Sequence, residues 1–189
     1  NLAYMFAQSN AKVILVDADI RKGRVAKYFK RKSSPGLSDC LSGQNTLDEI
    51  IHSSEINENF SYITCGTHAP RPYELLESEE MKKILDELSQ RFDYIIIDTP
   101  PILMVSDALA VAPSADGCIL VSRHQVSYVS DIERSISTLK FSKANFLGVV
   151  VNDYKAPKAS IHGSYKKYYY YNSYGYGYGS TNPEDKDEK

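Results

Sequence analysis

The chain has 189 residues, with 22 Lys and Arg against 24 Asp and Glu, so it has room for one domain with a sizeable core and no overall electrostatic case for nucleic acid. Its three cysteines, Cys40, Cys65 and Cys118, are too scattered for a disulfide framework or a paired-cysteine metal site, which points to a reducing cytosol. No apolar run approaches the roughly 20 residues that a membrane helix needs, and the histidines have no metal-ligand spacing.

In chain order, Asn1-Leu-Ala-Tyr-Met-Phe-Ala-Gln8 opens without an initiator methionine and reads as the remainder of a helix, so a fragment is expected. Five runs read as strands: Val13–Val16, Tyr62–Thr64, Tyr94–Ile97, Cys118–Val121 and Val149–Val151. Between them, Thr46-Leu-Asp-Glu49 has the form of a capping box opening a short helix through Ile50 and Ile51. Met81, Ile84, Leu85 and Leu88 mark one helix face, with Ser78 placed to cap it. Val129, Ile132, Ile136 and Leu139 mark another before the last strand. Strands alternating with helices predict an α/β fold with a mostly parallel sheet covered by helices on both faces.

Composition shifts near Tyr154, which divides a domain over 1–154 from a tail over 155–189. The tail has no apolar periodicity and is expected to be disordered, because it cannot bury enough apolar surface to offset its ordering entropy. It holds eight of the chain's fifteen tyrosines: Tyr165, Tyr168, Tyr169, Tyr170, Tyr171, Tyr174, Tyr176 and Tyr178. Lys155, Lys158, Lys166 and Lys167 are too few, and the end too acidic, to favour nucleic acid or an anionic membrane surface.

Two strand ends carry the chemistry. Lys12-Val-Ile-Leu-Val-Asp-Ala-Asp-Ile-Arg21 and Tyr94-Ile-Ile-Ile-Asp-Thr-Pro-Pro101 are β-branched runs stopped by aspartates, and ligands of open α/β sheets sit at strand carboxyl ends. Asp17 and Asp19 alternate along an extended chain and could converge, with Asp98 as a third carboxylate. The plain alternative is that these aspartates only end strands and cap turns.

These motifs resemble the Walker A′ and Walker B elements of the bacterial tyrosine kinases of capsule and exopolysaccharide synthesis. The resemblance runs over about residues 1–155 and includes Pro35-Gly-Leu-Ser-Asp39, Pro72-Tyr-Glu-Leu-Leu76, Ser106-Asp107-Ala-Leu109, Leu147-Gly-Val-Val-Val-Asn152 and the tyrosine-rich end. It implies an ATP- and Mg2+-dependent kinase that modifies the tail of a neighbouring subunit. Asp17 would be the catalytic base, while Asp19 and Asp98 would organise magnesium through water. Arg21 would support phosphate charge or, equally, be a solvated or paired surface arginine; Asn152 could read adenine or, equally, end its strand in a turn; and Arg123 could line the nucleotide site. The eight tail tyrosines would be phosphoacceptors. A ring-like homo-oligomer, other tyrosine-containing proteins, a membrane activator of the polysaccharide co-polymerase kind, and a place at the inner face of the cell membrane are implied in the same way.

The departure is the phosphate loop: no G-x-x-x-x-G-K-[ST] occurs. In the family that loop precedes the helix resembling Asn1–Gln8, so truncation is expected, and the chain as numbered should bind ATP poorly and lack activity. Two other readings share some of these features. A non-kinase ATPase of the partitioning or septum-positioning kind shares the aspartates but gives no reason for the tyrosines. A non-catalytic adaptor would recruit partners through them.

Overall fold

The computed structural model describes residues 1–155, and the chain divides into one unit over Asn1–Asp153 and a second over Tyr154–Lys189. The tyrosine tail, and the disorder expected of it, lie outside the described residues. Along the chain run α1 (Leu2–Gln8), β1 (Val13–Asp17), α2 (Val25–Tyr28), α3 (Leu37–Leu41), α4 (Leu47–Ile50), β2 (Ile51–Ser53) and β3 (Phe60–Ile63). They are followed by α5 (Pro72–Leu76), α6 (Glu79–Arg91), β4 (Tyr94–Asp98), α7 (Asp107–Val111), β5 (Cys118–Arg123), α8 (Val129–Phe141) and β6 (Phe146–Asn152).

Strand β1 is central because its apolar residues are wanted on both faces. Ile14 and Val16 join a core with Leu37, Leu76, Met81 and Leu88 from α3, α5 and α6. Val13 joins Ala3 and Ala7 of α1 and Phe60 of β3, with Leu15 packed alongside. The period of two along a strand thus feeds two helical layers, which is why the run reads as continuously apolar. The sheet order is β2-β3-β1-β4, parallel except for β2. Asp17 and Asp98 end adjacent strands as register partners.

The structure differs from the sequence reading in three places. Strands β5 and β6 pair in parallel as a separate two-stranded sheet, not as a continuation of the first. Ile51 leaves the helix opened by Thr46 and pairs antiparallel with Ile63, as suits a β-branched residue against an open edge. Val129 sits on α8 but is exposed, so of that predicted face only Leu139 is fully buried. Helix α6 follows the reading closely, with Ser78 Oγ accepting from the Met81 amide and Met81, Ile84 and Leu88 buried.

Candidate functional site

Asp17 is driven into the protein by the strand that carries it. It ends β1 between two covered faces and is fully buried. One carboxylate oxygen accepts the Val25 amide at 3.0 Å, and the other, Oδ1, is buried with no hydrogen-bond partner among the described residues. A buried ionisable oxygen left unpaired is costly unless a ligand or a proton meets it. Burial is the main force pushing the Asp17 pKa up to about 6; the Val25 hydrogen bond opposes it, and the nearby charges of Asp98 and Asp19 add to it. Asp98 reaches solvent yet is also raised, by partial desolvation first and by the charge of Asp19 second. Asp19 receives the Lys22 amide at 2.9 Å. The three aspartates singled out in the sequence therefore feel one another across the ends of β1 and β4.

Gly23 lets the chain turn back over this carboxylate. A Cβ there would lie 2.5 Å from Asp17 Oδ2 and 2.6 Å from the Cys65 Cβ. Cys65 is buried against the same spot, and burial, then the Asp17 charge, pushes its thiol up to about 11, which keeps it protonated and inert. Asp39 braces the neighbouring turn by accepting from the amides of Gly36 (2.8 Å) and Thr67. Burial works against the Asp39 charge, but the hydrogen bonds from Thr67, Gly36 and Ser34 outweigh it and hold the carboxyl below its usual range.

Arg21 is a paired arginine. Its guanidinium grips Asp107 with two hydrogen bonds, Nε to Oδ2 at 2.6 Å and Nη2 to Oδ1 at 3.1 Å. Asp107 is fully buried in the first turn of α7. This pair ties the segment after Asp19 to the helix that follows the Pro100-Pro101 exit of β4. In the sequence Asp107 stands within Ser106-Asp107-Ala-Leu109, where nothing nearby gives it a partner. A lone helix-opening aspartate carries no signal of an arginine 86 positions away.

Arg123 and Asn152 are brought together as register partners at the ends of β5 and β6. The Arg123 guanidinium is engaged with Asp153 at 2.9 and 3.0 Å, and Asn152 Oδ1 accepts the Asp153 amide. The eight tail tyrosines lie outside the described residues. Among the described residues no three potential ligands are grouped to enclose a metal ion. The carboxylates suit a hard cation that keeps its own waters, as Mg2+ does.

A family profile described as an AAA domain matches residues 1–147. The tyrosine-protein kinase YwqD of Bacillus subtilis is 34% identical over 165 residues, covering 87% of this chain and 69% of that protein. The tyrosine-protein kinase ptk of Acinetobacter johnsonii is 33% identical over 159 residues, 84% of this chain but 22% of that protein. The chain thus spans about a fifth to a quarter of several relatives it matches. The solved kinase domain of Escherichia coli tyrosine kinase ETK superposes with a TM-score of 0.78 at 33% identity, covering 86% of this chain and 64% of that one. The MinD cell division protein of Aquifex aeolicus, at 22% identity and a TM-score of 0.64, shares the fold alone.

Proposed function

The chain belongs to the bacterial tyrosine-protein kinases, and from that membership we propose that it transfers the γ-phosphoryl group of ATP to tyrosines in the tail of a second copy. The observation that carries the reading is the buried Asp17 carboxylate, one oxygen of which has no partner among the described residues, beside Asp19 and Asp98 at the ends of two adjacent strands. A carboxylate whose pKa lies near 6 is ionised at neutral pH and still basic enough to accept a phenolic proton. In the proposed step Asp17 takes that proton, the phenolate oxygen forms the new bond to phosphorus, and the bond to the ADP oxygen breaks. The products are phosphotyrosine and ADP. Magnesium, held through water by Asp19 and Asp98, would neutralise phosphate charge. Arg21, engaged with Asp107, acts as a positioning residue that holds the segment after Asp19. Asn152 and Arg123 are assigned to the nucleotide.

Capsule or exopolysaccharide regulation, a ring-like homo-oligomer and a membrane-bound activator at the inner membrane face are the setting proposed with this activity. Among the described residues no helix is long and apolar enough to cross a membrane. The partitioning-type reading is less well supported, because the neighbours of that kind share the fold alone. In the full-length protein, replacing the tyrosines of 165–178 by Phe should leave nucleotide binding intact and abolish most tyrosine labelling from γ-labelled ATP. Label released only as inorganic phosphate by the wild-type protein would favour the non-kinase ATPase.

A further inference from the structure

Arg21-Lys-Gly-Arg-Val-Ala-Lys-Tyr-Phe-Lys-Arg-Lys32 holds seven of the chain's 22 basic residues in twelve positions, without one Asp or Glu. Apart from Arg21, none of these cations has an ion-pair partner among the described residues, and Lys22, Arg24, Lys27, Lys30, Arg31 and Lys32 are exposed. The charge is mounted on an ordered scaffold. Val25 and Ala26 are buried. Phe29 stacks on Tyr62 of β3 with ring centroids 3.9 Å apart. The Arg31 amide donates to the Ala26 carbonyl at 2.9 Å and the Lys30 amide to the Lys27 carbonyl at 3.2 Å, the paired bonds of a Schellman turn. Lys30 holds the left-handed position, with φ of 52°, where glycine would be less strained.

This scaffold runs from the catalytic carboxylates to the outer edge of the sheet. It begins where the Lys22 amide meets Asp19, and it ends beside a cleft of about 190 Å³ between α2 and β2. Tyr28, Tyr62 and Ile56 give that cleft apolar walls, Ser53 adds a hydroxyl, and Lys30 and Arg31 bring two cations against the single acid Glu55. Aromatic walls with two cations suit a phosphorylated phenol better than a bare phosphate or a neutral ring. The unmodified segment 156–189 carries five Lys against four Asp and Glu, so it offers the basic surface no net attraction. Each added phosphate contributes about −1.5 to −2 charge at neutral pH.

We infer that Lys22–Lys32, with the cleft between α2 and β2, is a docking site for the phosphorylated tyrosine segment of a second copy, so the product is retained beside the site that made it. The identity of the occupant rests on the kinase reading; the charge, turn and cleft do not. The test uses the full-length protein and synthetic peptides of residues 165–178, unmodified or phosphorylated at Tyr174 and Tyr176, with binding read by fluorescence anisotropy. Because the peptide arrives already phosphorylated, its binding is measured whether or not the protein makes phosphotyrosine.

The phosphopeptide should bind about tenfold more tightly than the unmodified one, the size of one charge-assisted hydrogen bond. That preference should shrink as salt is raised and vanish in the quadruple variant Lys27→Gln, Lys30→Gln, Arg31→Gln, Lys32→Gln, whose exposed changes leave the buried anchors in place. Equal binding of the two peptides, or a preference that survives the quadruple variant, overturns the inference. So does a variant that loses affinity for phosphatidylglycerol vesicles while keeping the phosphopeptide, which would make the surface a membrane contact.

Discussion

Asp17 joins sequence, stability and chemistry at a single atom. Because its folded pKa is about 6 against 3.8 for an ordinary aspartate, the folded state binds more protons than the unfolded one between those values. Stability contributed by the protonated form is therefore present below pH 4 and lost as pH rises through 6, by up to about 3 kcal/mol. Asp17→Asn keeps an oxygen for the Val25 amide and cannot ionise. The ligand-free variant should melt higher than wild type at pH 7.5 by about 4 °C or more, with a flatter profile between pH 4 and 6, while losing phosphoryl transfer. A variant that melts lower, in scans across that range, would show that the charge is met by something favourable in the fold. Asp107 acts through position: Asp107→Asn should slow transfer on the order of tenfold to a hundredfold by loosening the segment behind Asp19. Steady-state kinetics would read this as a fall in kcat exceeding any rise in KM for ATP.

At the scale of elements, local signals were legible wherever one residue type had one physical reason to be there. Ser78 and the Met81, Ile84, Leu88 stripe fixed α6 because cap and burial agree within one segment. Ser78→Ala should cost about 1 kcal/mol in urea unfolding, as an N-cap hydroxyl does; an unchanged midpoint would mean that the Leu75 carbonyl, its other partner, holds it for a different purpose. The acidic ends of β1 and β4 were legible for a similar reason, since a β-branched run stopped by Asp marks a sheet's carboxyl edge. Ile51 was misplaced because a four-residue helix and a three-residue strand meet there, and only the pairing with Ile63 decides between them. The Arg21–Asp107 clasp was illegible because it joins residues that only the folded topology brings together.

For the whole molecule, the separation into two sheets has a physical consequence. Among the described residues strands β4 and β5 each have one edge that pairs with no strand, and Val121, Leu147, Val150 and Val151 around the smaller sheet are half exposed or more. Open edges with apolar faces invite association. A polypeptide of residues 1–189 alone should therefore self-associate with concentration in sedimentation velocity, and Val121→Lys with Val150→Lys should reduce that association without changing the far-ultraviolet dichroism. A monomeric wild type at high concentration would mean that these edges are covered.

Transfer from one copy to another is tested by mixing two defective full-length proteins. One carries Asp17→Asn with its tyrosines intact; the other has the intact carboxylates and Phe at all eight tail positions. With γ-labelled ATP, neither alone should label its tail, and the mixture should place phosphotyrosine within residues 165–178 of the Asp17→Asn partner. A mixture that releases inorganic phosphate but leaves that tail unlabelled would rule out transfer between copies.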